Sequence, residues 1–251
     1  MTTFALFAFL LLGVSQCLSP VAAVAVRTTR SPLAALHAPY DKGAAWITKD
    51  DQYIRIELAA NGRDSLVGSP KNIRAHWKSI DKIGFDSVDA FIPLNDASIA
   101  WVFSGEEYGK IKIAGNGQDT YVHGPSSIVK GWKSLNQAGF NSVDATLIKH
   151  DDQNVAWVFL NDQYVTIRFD EQTDSVISGP HPIAGHWKSL TEVGFVNFID
   201  WILVDPNNAE AAYFFSGENY VHINVVNDVV LGGGVRNVAS AWPSLAQATF
   251  Y

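Results

Sequence analysis

Apolar and polar positions change period several times along this chain, and then the order begins again. It is clearest between residues 142 and 190. Residues 142–149 are rich in β-formers, residues 154–160 (NVAWVFL) are an apolar run, and residues 164–169 (YVTIRF) alternate with period two. Three strands are predicted. Asp151-Asp152 and Asn161-Asp162 separate them with turn chemistry. A weaker fourth strand is expected over residues 174–177, and Gly179-Pro180 reads as a break. Over residues 182–190, Ile183, Trp187 and Leu190 recur at i, i+4 and i+7, one face of a short helix.

The same order occurs four times. Trp77-Lys78-Ser79-Ile80 returns as Trp132-Lys133-Ser134-Leu135, Trp187-Lys188-Ser189-Leu190 and Trp242-Pro243-Ser244-Leu245. The tryptophans are 55 residues apart each time, and four such units fill residues 32–251. Eight residues after each stands Phe85, Phe140, Phe195 or Phe250. Other landmarks keep step: Ala45-Trp46, Ala100-Trp101, Ala156-Trp157 and Ala212-Tyr213, each followed seven residues after its aromatic by Tyr53, Tyr108, Tyr164 or Tyr220. Val88-Asp89-Ala90, Val143-Asp144-Ala145 and Ile199-Asp200-Trp201 form a further set, which the first copy replaces with Leu33-Ala34-Ala35.

About four strands and one short helix cannot bury both faces of a sheet alone. Stacking units face to face solves this, and tandem β units of about 50 residues close into a propeller that leaves only short edges. The expected fold is all-β: a four-bladed propeller with blades at about residues 32–86, 87–141, 142–196 and 197–251, the first strand of each nearest the axis. The four repeat tryptophans are expected to anchor the cores between blades.

The segment before the repeats has a different character. Residues 4–14 (FALFAFLLLGV) are apolar, too short for a membrane span of about 20 residues. Val21-Ala22-Ala23 follows as a small-residue cleavage site, although no Lys or Arg precedes the apolar run. Residues 1–23 read as a secretory signal and residues 24–31 as a short tail, so the mature protein is expected to be extracellular. Cleavage removes Cys17, the single cysteine, so no disulfide or cysteine zinc site is expected. With 47% hydrophobic residues the chain can bury a sizeable core. Its net charge of −7, from 18 Lys and Arg against 25 Asp and Glu, argues against nucleic-acid binding.

The ordered motifs V-D-A, A-W-V-F-S-G-x-x-Y and G-P-x-x-I-x-x-x-W-x-S-L resemble the hemopexin-like repeat over residues 32–251. The single-domain, cysteine-free build is similar to plant seed albumins of that type. The resemblance implies one blade per repeat and ions held in the central channel by main-chain carbonyls. For calcium it implies the carbonyls of Asp89, Asp144 and Asp200, with Ala34 as the first copy's counterpart. For a second channel ion, sodium or chloride, it implies Ala45, Ala100, Ala156 and Ala212. Strands converging on an axis aim carbonyl dipoles inward, and hard cations take oxygen ligands.

Trp201 stands where other copies have Ala35, Ala90 and Ala145, and a large ring beside the axis is a candidate ligand contact. Polyamine, haem and glycan are the small-molecule ligands to weigh; a protein partner or a homodimer is a further expectation. The negative charge favours a cation. Haem is disfavoured, because the histidines, among them His76, His123, His181 and His186, fall at peripheral positions of different blades. The carboxylate pairs Asp50-Asp51 and Asp151-Asp152 read as turns rather than as a hydrolase pair. The chain is expected to bind rather than catalyse, the alternative being a structural or storage protein.

Overall fold

The computed structural model describes residues 31–39, 41–60, 62–94, 98–114 and 117–251, and Lys42 by its backbone alone. The expected leader, with Cys17, lies outside these residues, as does nearly all of the tail. Ser31–Tyr251 is one compact unit. The first blade holds β1 (Leu33–Ala38), β2 (Asp41–Lys49), β3 (Gln52–Leu58) and β4 (Asp64–Asn72), then α1 (Ile73–His76) and α2 (Lys78–Ile83). The second holds β5 (Ala90–Leu94), β6 (Ile99–Ser104), β7 (Glu107–Ile113), β8 (Asp119–Ser127), α3 (Ile128–Gly131) and α4 (Lys133–Gln137). The third holds β9 (Ala145–Lys149), β10 (Asp152–Leu160), β11 (Gln163–Phe169), β12 (Asp174–Pro182) and α5 (Lys188–Glu192). The fourth holds β13 (Trp201–Val204), β14 (Ala211–Ser216), β15 (Asn219–Asn224), β16 (Val229–Asn237), α6 (Val238–Ala241) and α7 (Pro243–Gln247).

Each blade is one antiparallel sheet whose strands pair in chain order. β1 lies beside β5, β5 beside β9, β9 beside β13, and β13 beside β1. The chain is a four-bladed β-propeller with these strands innermost. Among the described residues no helix is long and apolar enough to cross a membrane.

Alternation explains the strands. On β3, Ile54, Ile56 and Leu58 are buried while Arg55 and Glu57 point outward; on β11, Val165, Ile167 and Phe169 do the same. Two local expectations change. The helix expected over residues 182–190 forms only as α5, because Gly185, at φ 79°, interrupts its first turn. The fourth strand of the third blade runs past Gly179-Pro180 instead of stopping there. The register shifts from Thr166 opposite Ser178 to Tyr164 opposite His181, and the shift accommodates the Gly-Pro pair.

The core is divided among four junctions between neighbouring blades. Each repeat tryptophan sits in one, edge-to-face against an aromatic of its own second strand. Trp46–Trp77, Trp101–Trp132, Trp157–Trp187 and Tyr213–Trp242 have centroids 5.2, 5.6, 5.4 and 5.1 Å apart. The junction between the last and first blades joins Leu33, Ile47 and Ile54 to Trp201, Phe215 and Trp242. Packing therefore closes the ring.

Candidate functional site

The four inner strands set the geometry of the axis. Leu36 pairs with Trp46, Ile92 with Trp101, Leu147 with Trp157 and Leu203 with Tyr213. Two residues earlier, Ala34, Ala90, Ala145 and Trp201 share one level, and each faces the junction with the following blade. The first blade's alignment is therefore corrected by one residue. Ala34 matches Ala90, Trp201 matches Ala34 rather than Ala35, and the counterpart of Asp89, Asp144 and Asp200 is Leu33.

The aspartate side chains have a local task. Each reaches back to the turn between the second and third strands of its own blade. Asp89 Oδ2 accepts from the Gly105 N–H at 2.6 Å, Asp144 Oδ2 from Asn161 at 2.7 Å and Asp200 Oδ2 from Gly217 at 2.6 Å. The three donors lie in the left-handed region, with φ of 57°, 53° and 57°. In the first blade Asp50 occupies that position at φ 51°, and its N–H donates to the Pro32 carbonyl at 3.1 Å. A main-chain oxygen thus replaces the carboxylate that the first copy lacks.

Two inner-strand carbonyls face out of their own sheets, toward neighbouring inner strands. Thr146 on β9 donates its hydroxyl to the Phe91 carbonyl at 2.5 Å, and His37 on β1 donates from Nε2 to the Val204 carbonyl at 2.9 Å. Each acceptor belongs to the inner strand of a neighbouring blade, so these carbonyls face away from their own sheets. Leu33, Asp89, Asp144 and Asp200 stand two residues before Phe91 and its counterparts, one step along the antiparallel ladder, and the N–H groups of the three aspartates donate back into their own sheets, to the Phe103, Phe159 and Phe215 carbonyls at 2.8, 2.9 and 2.8 Å. The Ala34 carbonyl instead has the hydroxyl of Thr48, on its own partner strand, 3.4 Å away. An all-oxygen donor set of this kind fits a hard cation. Among the described residues no group of three or more His, Cys, Asp or Glu side chains is placed to hold a metal.

Two other expected sites move away from the axis. Ala45, Ala100, Ala156 and Ala212 lie on the second strands, wholly buried in the cores between blades. Their small side chains let neighbouring blades approach, and each is paired on both sides, to the first and third strands of its sheet, so their main chain is one strand removed from the axis rather than a second channel layer. Trp201 is 1% exposed. Its ring stacks on Phe215 with centroids 3.6 Å apart, and Nε1 donates to the Tyr251 hydroxyl at 2.9 Å. It is a core residue of the closing junction, not an open ligand contact.

Sequence reasoning missed a second repeated device. The aspartate that opens or immediately precedes each fourth strand caps the helix of the preceding blade. Asp119 accepts from the N–H groups of Lys78 (3.3 Å) and Ser79. Asp174 accepts from Lys133 (3.2 Å) and Ser134 (2.5 Å), and Asp228 from Lys188 (2.7 Å) and Ser189 (2.9 Å). Asp64 closes the ring by accepting from Ser244 at 2.8 Å; Pro243, before it, has no N–H to give. The serine of W-x-S-L thus presents a helix N-terminal N–H to the next blade. The recurrence of Asp64, Asp119 and Asp174 at 55-residue intervals was the available signal.

Two histidines from neighbouring blades, His37 and His222, face Asp205, which follows β13. His37 Nε2 is committed to Val204, and burial lowers its pKa against the smaller upward pulls of the Val204 and Ala44 main chain and of Asp205. His222 stands 3.1 Å from Asp205 and stacks on Tyr213 at 4.2 Å. Burial lowers its pKa too, more than Asp205 raises it, and the Tyr213 phenol is pushed up to about 12 by the same burial and by Asp205. Both histidines take up protons more readily when unfolded. Their contribution is complete above about pH 6.5 and is lost as pH falls below it. Urea midpoints are therefore expected to drop between pH 7.5 and 5.5, and His37→Gln, which keeps a donor for Val204, should flatten that drop. An unchanged pH profile in His37→Gln would remove His37 from the account.

No family model matches the chain. It is 25% identical over 154 residues to Albumin-2 of Lathyrus sativus and to Albumin-2 of Pisum sativum, 60% of this chain and 67% and 66% of theirs. The matched stretch spans about two thirds of those relatives. Among solved structures, the hemopexin fold protein CP4 from cow pea superposes with a TM-score of 0.75 at 22% identity, over 87% of this chain and 98% of its own. This chain has the hemopexin fold. Two Cicer arietinum proteins share it. A plant albumin showing hemagglutination matches at TM-score 0.76 and 22% identity, over 85% of this chain and 96% of its own. A plant lectin with two metal binding sites matches at 0.75 and 21%, over 87% and 97%. In the hemopexin fold as this chain builds it, repeated aspartate side chains clamp turns and helices.

Proposed function

We propose that this protein is a secreted, non-catalytic binding propeller. In this reading the main-chain carbonyls of Leu33, Asp89, Asp144 and Asp200 hold a calcium ion on the axis, and the ligand is a glycan. The observation that carries the ion is the outward turn of the inner-strand carbonyls, seen at Phe91 and Val204. The ion supplies charge that draws four backbones together; the chain supplies neutral oxygens and keeps its aspartate carboxylates on the turns. Similarity to a hemagglutinating albumin and to a lectin with metal sites supports the glycan. The carboxylate pairs do structural work: Asp50 forms a left-handed turn and Asp151 pairs with Lys149 at 3.0 Å.

Thermal melting after chelation tests the ion. A ligand at 100 times its dissociation constant that binds only the folded chain adds about 2.7 kcal/mol, roughly 5–10 °C for a domain of this size. Calcium should give such a rise and an equal concentration of sodium a smaller one. No rise with calcium would remove the axial ion. Erythrocyte agglutination reversed by free sugar tests the glycan; a response to spermine or hemin alone would replace that ligand class. The Albumin-2 relatives favour a second reading as a storage protein, in which no ligand binds saturably.

A further inference from the structure

One position next to a repeat tryptophan differs from its counterparts. His76, His186 and Ala241 immediately precede Trp77, Trp187 and Trp242, whereas the second blade has Gly131 before Trp132. His76 lies against Tyr53 at 6.2 Å and His186 stacks on His181 at 4.8 Å, so an imidazole fills that place in the first and third blades. At Gly131 the Tyr108 ring leans in instead; a Cβ there would stand 2.1 Å from the Tyr108 hydroxyl. Beside it a cavity of about 340 Å³ opens between the second and third blades. Trp101, Tyr108 and Trp132 form its walls, and the turn at residues 170–174 forms its rim.

Lys110 lies in this cavity and is 5% exposed. Its counterparts opposite the second-strand aromatic are Arg55, Thr166 and His222. Lys110 Nζ sits 4.7 Å above the Trp101 ring and donates to Glu171 Oε2 at 2.9 Å, while Glu171 is 54% exposed. The buried Trp101 Nε1 has no acceptor. The neighbouring acids are already engaged: Asp174 caps α4, and Asp170 accepts from the Gln172 and Thr173 N–H groups.

The Lys110–Glu171 pair thus offers a charged donor and a charged acceptor side by side, next to the partly exposed Trp101. A hydroxyl group both donates and accepts, and a pyranose carries several around an apolar C–H face. A ligand ammonium would have to share Trp101 with the ammonium of Lys110, and a ligand carboxylate would meet Glu171 and Asp170. The cavity is at the lower end of the roughly 300–1,000 Å³ range of small-molecule sites. We infer that this groove binds one neutral sugar ring, its hydroxyls on Lys110 and Glu171 and its C–H edge against the partly exposed rim of Trp101, whose face Lys110 already covers. The inference rests on the glycan reading above and gives it a place.

The test is a titration of the full chain with galactose, mannose, glucose and N-acetylglucosamine, and in parallel with glucuronate and spermine. Tryptophan fluorescence and saturation-transfer NMR read it. At least one neutral sugar should saturate. Glu171→Gln, a surface change, and Lys110→Met, which keeps the buried stem, should each weaken it about tenfold or more. Thr166→Val, at the matching position of the third blade, should leave it unchanged. The inference is overturned if no neutral sugar saturates, if the affinity survives Glu171→Gln, or if only spermine or glucuronate binds. Sugar-reversible agglutination unaltered by Glu171→Gln would overturn the groove while leaving the glycan reading intact.

Discussion

Trp187→Ala is expected to lower unfolding stability by about 3–5 kcal/mol, read as a fall in the urea midpoint at pH 7.5. Trp187 is 5% exposed in the core between the third and fourth blades. Its ring meets Trp157, Phe159, Tyr164 and Phe214 with centroids 5.3–5.5 Å away. Those neighbours belong to both blades and to three strands, β10, β11 and β14, so no one of them can shift to fill the space. The cavity remains, and its cost adds to the lost transfer energy. Against a typical stability of about 5–15 kcal/mol, that leaves little margin. Lys188→Ala, one residue on and exposed, keeps its backbone N–H for Asp228 and should change stability by less than about 0.5 kcal/mol. A loss below about 1 kcal/mol in Trp187→Ala would mean that the repeat tryptophans are not what joins the blades.

The tryptophan anchors were legible because bulk, spacing and period all pointed to one role, and the blade count followed from them. The axial site was only partly legible. A 55-residue ruler places Ala34 level with Asp89, but the β1–β2 hairpin carries one residue more than the β5–β6 hairpin, with its register shift at His37/Ala38. Only the pairing reveals that Leu33 takes the position. Small residues at Ala45, Ala100, Ala156 and Ala212 signal a close approach of backbones, and composition cannot say whether that approach is at the axis or between blades. Trp201 looked open because alanines stand at its level in the other blades, yet its cross-strand partner Phe215 and the distant Tyr251 cover it. The cavity at Gly131 was hidden for another reason. It depends on the loss of a side chain at one repeat position and on Lys110 at a strand position where the other blades differ from one another.

Asp64→Ala is expected to cost about 1–3 kcal/mol and to act differently from its three counterparts. Asp119, Asp174 and Asp228 each clasp blades that are consecutive in the chain, so the backbone holds the pair together when a clasp is lost. Asp64 clasps the first blade to α7 of the fourth, where no peptide link exists. Beyond the shared core, that seam has the bonds from Lys49 Nζ to the Phe250 carbonyl at 2.5 Å, from His37 Nε2 to the Val204 carbonyl at 2.9 Å and from Asn207 Nδ2 to the Ala59 carbonyl at 3.4 Å. Loss of Asp64 leaves the buried Ser244 N–H without its acceptor and weakens the seam at its outer end. Hydrogen exchange should therefore quicken selectively across β1–β4 and α7, as local opening of one unit rather than uniform loss. Asp174→Ala should show a comparable fall in stability with exchange quickened mainly around α4 and β12. Asp64→Asn keeps an acceptor and should recover part of the protection. If Asp64→Ala and Asp174→Ala give the same exchange pattern across the first blade, the seam is no weaker than the other junctions, and core packing alone sets the closure of the ring.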